Sequence, residues 1–393
     1  MVKIPSSQPP KLRTRWDIFC AVVDNYGDIG TCWRLGRQLA AEHNAEVRLW
    51  VDDLASFARM NPDVSCFEEI QRVGRLEVRR WGTDFSRIVP ADVVVETFAC
   101  ELPSEYVEKM ALMAKMPVWI NLEYLSAEPW VDECHGLPSR HPTLPLTKYF
   151  FFPGFTELTG GLLRERSLLA DRDAFDAGRR DQFLQRITGA EANPLSVQNA
   201  TPEEPFRISL FAYENSAITP FLDRLAEGST PTTVFVCSGA ATNQVGHWLG
   251  CAPTSQRAVQ RGVLTFHFLP FLMQDDYDRL LWACDLNFVR GEESFVRAQW
   301  AARPFVWQIY PQIDDVHLTK LNAFLGRYLA GFDQAESVRR FWLAWNGTGD
   351  VGAAWPDFER CQKSLFLHGK VWGDHLDRIG NLADNLGRFV RGI

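Results

Sequence analysis

The sequence predicts an α/β protein made of two similar halves. Three observations predict it. Strand-like apolar runs alternate with amphipathic helical stretches from Trp16 to Leu125. The same alternation restarts at Phe206, after a segment rich in Pro, Gly and charge. In both halves, stretches rich in Asp, Asn, Gly and Glu fall just after predicted strands. Strands alternating with helices imply a parallel sheet covered on both faces, and 393 residues suffice for two ordinary domains.

WDIFCAVV, Trp16 to Val23, reads as the first strand, and Thr31 to His43 as a helix with Trp33, Leu35, Leu39 and Ala40 at helical spacing. AEVRLWVDD is a second strand. DVVVETF, Asp92 to Phe98, is a third, and its β-branched run suits a buried parallel strand. PSEYVEKMALMAK is a helix with Pro103 near its start, and PVWINLEYL, Pro117 to Leu125, is another strand. Leu137 to Gly161 is rich in Pro and Gly around the aromatic run KYFFFPGF. ERSLLADRDAFDAGRRDQFLQRITG reads as charged helix, and Gly189 to Pro205 as a linker or surface loop. The second half opens with the strand FRISLFAYE, Phe206 to Glu214, and the helix ITPFLDRLAEG. The strands TTVFVCSG and LTFHFLPF follow, then the helix QDDYDRLLWACD with Gln274 at its start. DLNFVRG is a strand, ESFVRAQWAA a helix and RPFVWQIY a strand. From about Asp314 the chain reads as mostly helical.

Composition narrows the function. Hydrophobic residues make up 46% of the chain, and 14 Trp with 27 Phe predict broad aromatic cores or pockets. A net charge of -8 argues against a general nucleic-acid binder, which carries a basic footprint. The nine Cys include no Cys-x-x-Cys pair and suit a reducing compartment. MVKIPSSQPPKLRTR lacks an apolar core and reads as a disordered leader. No stretch is apolar for long enough to span a bilayer. The expectation is a soluble, cytoplasmic protein with no nucleic-acid or membrane partner.

In open parallel sheets, ligands sit beyond the carboxyl ends of strands. DNYGDIG, Asp24 to Gly30, follows the first strand. A plain turn needs only one or two such residues, so Asp24 and Asp28, with Tyr26, Gly27 and Gly30, are candidates for chemistry. RGEESFVRAQ, Arg290 to Gln299, joins a strand to a helix. A helix N-terminus suits phosphate, to which Ser294 adds a hydroxyl and Arg290 or Arg297 a charge. Glu292 and Glu293 would repel phosphate but suit a sugar hydroxyl; plain capping of the first helical turn is the equal alternative. Phe211 and Tyr213 in FAYEN could stack on a nucleobase or simply pack in the core. Gln274 could cap its helix or read a base edge. Gln312, Asp314, Asp315 and His317 form a weaker case of the same kind. His135 and His141 have no supporting pair for a metal, and the Asp171 and Asp173 of DRD suit a solvated face. There is no Gly-x-Gly-x-x-Gly, P-loop, His-Glu-x-x-His or Gly-x-Ser-x-Gly, which argues against dehydrogenase, kinase and hydrolase chemistry.

DNYGDIG with CWRLGRQLA, FFFPGF with TGGLLRE, SLFAYEN, LPF with Gln274, and RGEESFVRAQW together resemble the EarP family, bacterial protein-arginine rhamnosyltransferases that modify elongation factor P. The resemblance runs from about Trp16 to the C-terminus. It implies a GT-B glycosyltransferase fold, with two Rossmann-like domains facing a cleft and a C-terminal helix crossing back to the first. The implied divisions are a leader over 1–15, an acceptor domain over 16–165, a nucleotide-sugar domain over 166–365, and a helix over 366–393 packing on the first domain. It implies dTDP-β-L-rhamnose as donor, inversion at the anomeric carbon, no metal or other cofactor, and elongation factor P as protein partner. By motif match, Phe211, Tyr213, Gln274, Glu292, Glu293 and Ser294 fall on donor-site positions, and Asp24 and Asp28 on two essential aspartates. Many members read Glu-Asp-Ser where this chain reads Glu292-Glu293-Ser294. The rival expectations are a GT-B enzyme with another acceptor, a sugar-nucleotide epimerase, and a non-catalytic protein that binds nucleotide sugar or elongation factor P. A guanidinium is permanently charged and a poor nucleophile, so two carboxylates that grip it and take its proton suit this acceptor.

Overall fold

Every side chain of VVVET, Val93–Thr97, is buried, as a β-branched strand covered on both faces requires. It lies inside an eight-stranded sheet. The computed structural model describes residues 13–393 except Asn25, Thr83 and residues 190–203, 255–256 and 313–315. Most of the predicted leader, most of the predicted linker, and Asp314 and Asp315 therefore lie outside the described residues.

The first sheet and its helices run β1 (Arg15–Cys20), α1 (Gly27–Glu42), β2 (Glu46–Val51), α2 (Leu54–Met60), β3 (Ile70–Val73), β4 (Leu76–Arg80), β5 (Val93–Thr97), α3 (Ser104–Ala111), β6 (Val118–Leu122), α4 (Trp130–Cys134), β7 (Pro138–Arg140) and β8 (Thr147–Phe151). Their order is β3-β4-β2-β1-β5-β6-β8-β7, parallel apart from the edge pairs β3·β4 and β7·β8. Next come α5 (Leu168–Asp173), α6 (Ala177–Thr188), β9 (Phe206–Leu210), α7 (Ile218–Ala226), β10 (Thr232–Val236), α8 (Ala240–Leu249), β11 (Val259–Arg261), β12 (Leu264–Phe268), α9 (Gln274–Ala283), β13 (Leu286–Arg290), α10 (Glu293–Ala301) and β14 (Phe305–Gln308). This second sheet has the order β11-β12-β10-β9-β13-β14. The chain ends in α11 (Val316–Tyr328), α12 (Ala335–Trp345), α13 (Val351–Arg360), α14 (Gln362–Ile379) and α15 (Leu382–Gly392).

Both sheets are doubly wound. The strand order reverses between β1 and β5 in the first and between β9 and β13 in the second. Such switch points open a crevice beyond the strands' carboxyl ends. The architecture is GT-B: two Rossmann-like units face a cleft, with the C-terminal helix crossing back.

Several elements differ from the sequence reading. Helix α1 begins at Gly27, so Asp28 and Gly30 lie in its first turn rather than in a loop before it. The predicted charged helix breaks at Ala174–Asp176, where the Asp176 carboxylate accepts the Arg179 backbone N–H at 2.9 Å and starts a new helix. The last predicted helix is also two. Leu365, Trp372, Leu376 and Ile379 of the α14 region join the second core, and the chain breaks at Gly380, φ +89°. Asn381 then caps α15, whose Leu382, Ala383 and Leu386 join the first core. Only the chain from Leu382 onward packs against the first sheet's core. Beside this crossing runs the other one: Leu382 N–H donates to the Leu162 carbonyl, and Gln38 donates to Asn381 and to the Arg164 carbonyl.

Candidate active site

Four strand ends converge here, those of β1, β5, β9 and β13. Asp28, in the first turn of α1, turns its side chain back toward β1. Its Oδ2 accepts the backbone N–H groups of Val23 and Asp24, both at 2.8 Å. The carboxylate is thereby fixed and buried. Burial pushes its pKa above the ordinary value, against the opposing effect of those two hydrogen bonds.

Asp24, four residues earlier, is tied across the cleft to the second half. Its Oδ2 accepts the Tyr213 hydroxyl at 2.7 Å, and its Oδ1 lies 3.4 Å from Arg290 Nη1. Gly291 makes the approach possible: φ is +61°, and a Cβ there would lie 2.8 Å from Asp24 Oδ2 and 2.9 Å from the Tyr213 oxygen. Arg290 also fills the space between the two aromatics of FAYEN. Its guanidinium carbon is 4.5 Å from the Phe211 ring centre and 4.4 Å from that of Tyr213. The two rings therefore do not leave an open stacking slot between them.

The two acids of RGEESF diverge. Neither caps α10 with its side chain. Glu292 Oε2 accepts the Leu125 N–H at 3.0 Å. Burial, with Asp28 and Asp24 nearby, raises its pKa to about 8. Glu293 accepts from Arg34 Nε at 2.6 Å and from Gln274 Nε2 at 3.3 Å. Gln274 also donates to the Gly30 carbonyl at 3.0 Å, and a Cβ on Gly30 would sit 3.2 Å from the Gln274 nitrogen. The Gln274 side-chain amide oxygen Oε1 is buried without a partner. Ser294 folds back on β13: its hydroxyl accepts the Arg290 N–H and donates to the Arg290 carbonyl. Arg297, expected as a free charge for phosphate, is instead buried and paired with Asp278 and Glu165.

Two cavities flank the start of α10. One, of about 200 Å³, is lined by Asp24, Gly27, Asp28 and Glu292 together with Phe98, Tyr124, Tyr310 and Lys320. The other, of about 70 Å³, is aromatic: Tyr26, Phe211, Phe271 and Tyr277 surround Gln274 and Glu293. Tyr26 meets Phe271 edge-on at 5.0 Å, and Phe211 meets Tyr277 at 5.6 Å. The structure therefore sorts the predicted residues. Phe211, Gln274 and Glu293 line the aromatic cavity; Asp24, Asp28 and Glu292 line the acidic one; Tyr213 and Arg290 hold Asp24 between them. A wider cleft of about 800 Å³ lies between α1, α6 and α9 and is lined by none of the predicted site residues.

Sequence reasoning missed Arg34, Phe98, Tyr124, Phe271 and Tyr277. For Phe98 and Tyr124 a signal existed. Each follows the carboxyl end of a strand, β5 or β6, and only overlong strand assignments hid them. Gln312 donates its backbone N–H to His317 Nδ1 at 3.2 Å. His135 and His141 accept backbone N–H groups through Nδ1. Among the described residues no group of three or more His, Cys, Asp or Glu could hold a metal ion, and no helix is long and apolar enough to cross a membrane.

A family model described as the elongation factor P (EF-P) rhamnosyltransferase EarP matches residues 16–391. The protein-arginine rhamnosyltransferase of Pseudomonas putida is 47% identical over 385 residues, covering 97% of this chain and 99% of that one. That of Pseudomonas aeruginosa is 48% identical over 379 residues, covering 95% and 98%. A solved structure on EarP-mediated arginine glycosylation of translation elongation factor EF-P is 36% identical, with a TM-score of 0.66 and coverage of 97% of this chain and 99% of that one.

Proposed function

The chain belongs to the EarP family of elongation factor P rhamnosyltransferases, and on that premise we propose that it transfers L-rhamnose from dTDP-β-L-rhamnose to one arginine of elongation factor P, with inversion and without a metal. One observation carries the reading. Asp28 is pinned by two backbone N–H groups at the wall of a cavity where the partly buried Asp24 already holds a guanidinium, that of Arg290.

In this reading the aromatic cavity takes the nucleobase. Phe211 and its neighbours supply apolar faces, and the unpartnered Gln274 oxygen accepts an N–H from the base edge. The diphosphate lies at the N-terminus of α10, whose first-turn N–H groups no side chain caps. The acceptor guanidinium enters the acidic cavity. One of its nitrogens attacks the anomeric carbon, the carbon–oxygen bond to dTDP breaks on the opposite face, and dTDP leaves with the electron pair. Asp28 takes the proton as the new carbon–nitrogen bond forms. Its pKa, raised by burial, makes it a stronger base than an exposed carboxylate. Asp24 grips the guanidinium. Glu292, largely neutral at pH 7, donates a hydrogen bond from its carboxyl O–H to a sugar hydroxyl oxygen. The second half holds the donor, and the first half docks elongation factor P.

Incubation with elongation factor P and dTDP-β-L-rhamnose tests this. The expected result is one added deoxyhexose on an arginine, in the α configuration by the anomeric carbon–hydrogen coupling. An unmodified partner, modification of another residue type, or a retained β configuration contradicts it.

A further inference from the structure

The chain at the end of β5 is held in an unusual conformation. Cys100 N–H donates to the Thr97 carbonyl at 3.0 Å and closes a turn. Its two central residues, Phe98 and Ala99, have φ of +57° and +55°. Turns with both central residues in the left-handed region normally use Asn and Gly. Here a bulky aromatic and an alanine occupy them, and strain of this kind persists only where the surroundings enforce it. They do. Phe98 N–H donates to the Leu122 carbonyl at 2.7 Å, the Thr97 hydroxyl donates to the Phe19 carbonyl at 2.7 Å, and Cys100 Sγ lies 3.3 Å from that same carbonyl oxygen.

The consequence is where the Phe98 ring goes. It stacks on Tyr124, with centroids 4.6 Å apart and planes 20° apart, and both rings line the acidic cavity with Asp24, Asp28 and Glu292. The position is the switch point of the first sheet, between β1 and β5. Lys320 Nζ already stands 5.9 Å from the Tyr124 ring centre, so a cation can reach this face. The Tyr124 phenol is half-buried and feels the negative charge of Asp28, Glu292 and Asp24, which together push its pKa up and keep the ring neutral and electron-rich. Two carboxylates alone grip any cation. A flat aromatic face beside them favours a flat one, because a guanidinium stacks plane to plane on a ring while an ammonium meets it only as a point charge.

We infer that Phe98 and Tyr124 form the aromatic face on which the acceptor guanidinium lies while Asp24 and Asp28 hold its edge. This rests on the acceptor reading given above. The pair sets both the orientation of the attacking nitrogen and the preference for arginine over lysine.

The test is steady-state transfer to folded elongation factor P, with dTDP affinity measured separately by calorimetry. Phe98→Leu and Tyr124→Leu keep apolar bulk but lose the ring. Each is expected to raise the KM for elongation factor P about threefold to thirtyfold while leaving dTDP affinity unchanged. Phe98→Tyr and Tyr124→Phe keep the ring and are expected to retain the wild-type KM. An unchanged acceptor KM in both leucine variants overturns the inference. So does a rise confined to the donor, which would put the sugar against these rings. Should Phe98→Leu lose dTDP binding through misfolding, Tyr124→Leu decides alone. If the wild-type protein does not modify elongation factor P at all, the acceptor reading itself has failed; if it does and the rings are silent, only this inference has.

Discussion

Asp28 and Glu292 are carboxyls of the same cavity with pKa values moved in the same direction, and the pH dependence of the reaction follows from them. Asp28 must be ionised to take a proton. Burial raises its pKa, so activity should fall on acidification before an ordinary exposed carboxylate would titrate. Glu292 works in this account as a neutral acid, and its pKa of about 8 sets an alkaline limb. Transfer should therefore be bell-shaped in pH, and Glu292→Gln, which cannot ionise, should lose the alkaline limb even if its plateau is lower. Rates measured from about pH 5 to about pH 9 check this; an alkaline limb that survives in Glu292→Gln contradicts the assignment. Stability follows the alkaline limb in sign and runs opposite to the acid one. A carboxyl with a raised native pKa favours the folded state most below its unfolded pKa, and that contribution is lost as pH rises, for Glu292 by about pH 8.

At the scale of elements, one buried ion cluster joins α1 to α9 and α10. Arg34 reaches Glu293, Glu165 and Asp278 and also donates to the Gln274 carbonyl, at distances from 2.6 to 3.2 Å. Arg297 pairs with the same Asp278 and Glu165. The side chains of Arg34 and Asp278 are almost wholly buried, so removing one strands a charge. Arg34→Leu should cost about 3–5 kcal/mol, read from the urea midpoint; a loss below about 1 kcal/mol, as for a surface pair, would contradict the role. Glu165 titrates the other way from Glu292. Burial raises its pKa, but Arg297 and Arg34 outweigh this and hold it well below the ordinary value. Its contribution is present above the usual glutamate pKa and is lost as pH falls below it, so Glu165→Gln should flatten the acid side of the stability curve. None of this cluster was legible in CWRLGRQLA, because a helical Arg bound for a buried partner has the same spacing as one bound for solvent. What was legible followed from local chemistry. VVVET could only be a two-sided buried strand, and DNYGDIG carried more acid than a turn needs. The β3–β4 hairpin escaped because IQRVGRLEVRR mixes charge and apolar residues without clean alternation, although Gly74 with φ +57° marks its turn. The breaks at Ala174–Asp176 and Gly380 escaped because charge and Gly inside a helical pattern do not by themselves end it.

Over the whole molecule, the acidic and basic groups are arranged so that the two halves divide the work. The first contributes Asp24, Asp28 and the aromatic turn; the second contributes the aromatic cavity, Arg290 and the free N-terminus of α10. In the proposed reading, positive groups stand beside the leaving diphosphate: that helix end and Arg290. Transfer should accordingly proceed at full rate in excess EDTA, and activity lost to the chelator and restored by Mg²⁺ or Mn²⁺ would show that a metal supplies that charge instead. The central claim is that one pinned carboxylate takes the acceptor's proton. Its most direct test is single-turnover transfer by Asp28→Asn at saturating dTDP-rhamnose, with donor affinity measured separately. Asn keeps the size and an oxygen that can accept the Val23 and Asp24 N–H groups, but it cannot act as the base. The account predicts a rate lower by about a hundredfold to ten-thousandfold with donor binding intact; transfer near the wild-type rate, or a loss traced wholly to failed donor binding, would contradict it.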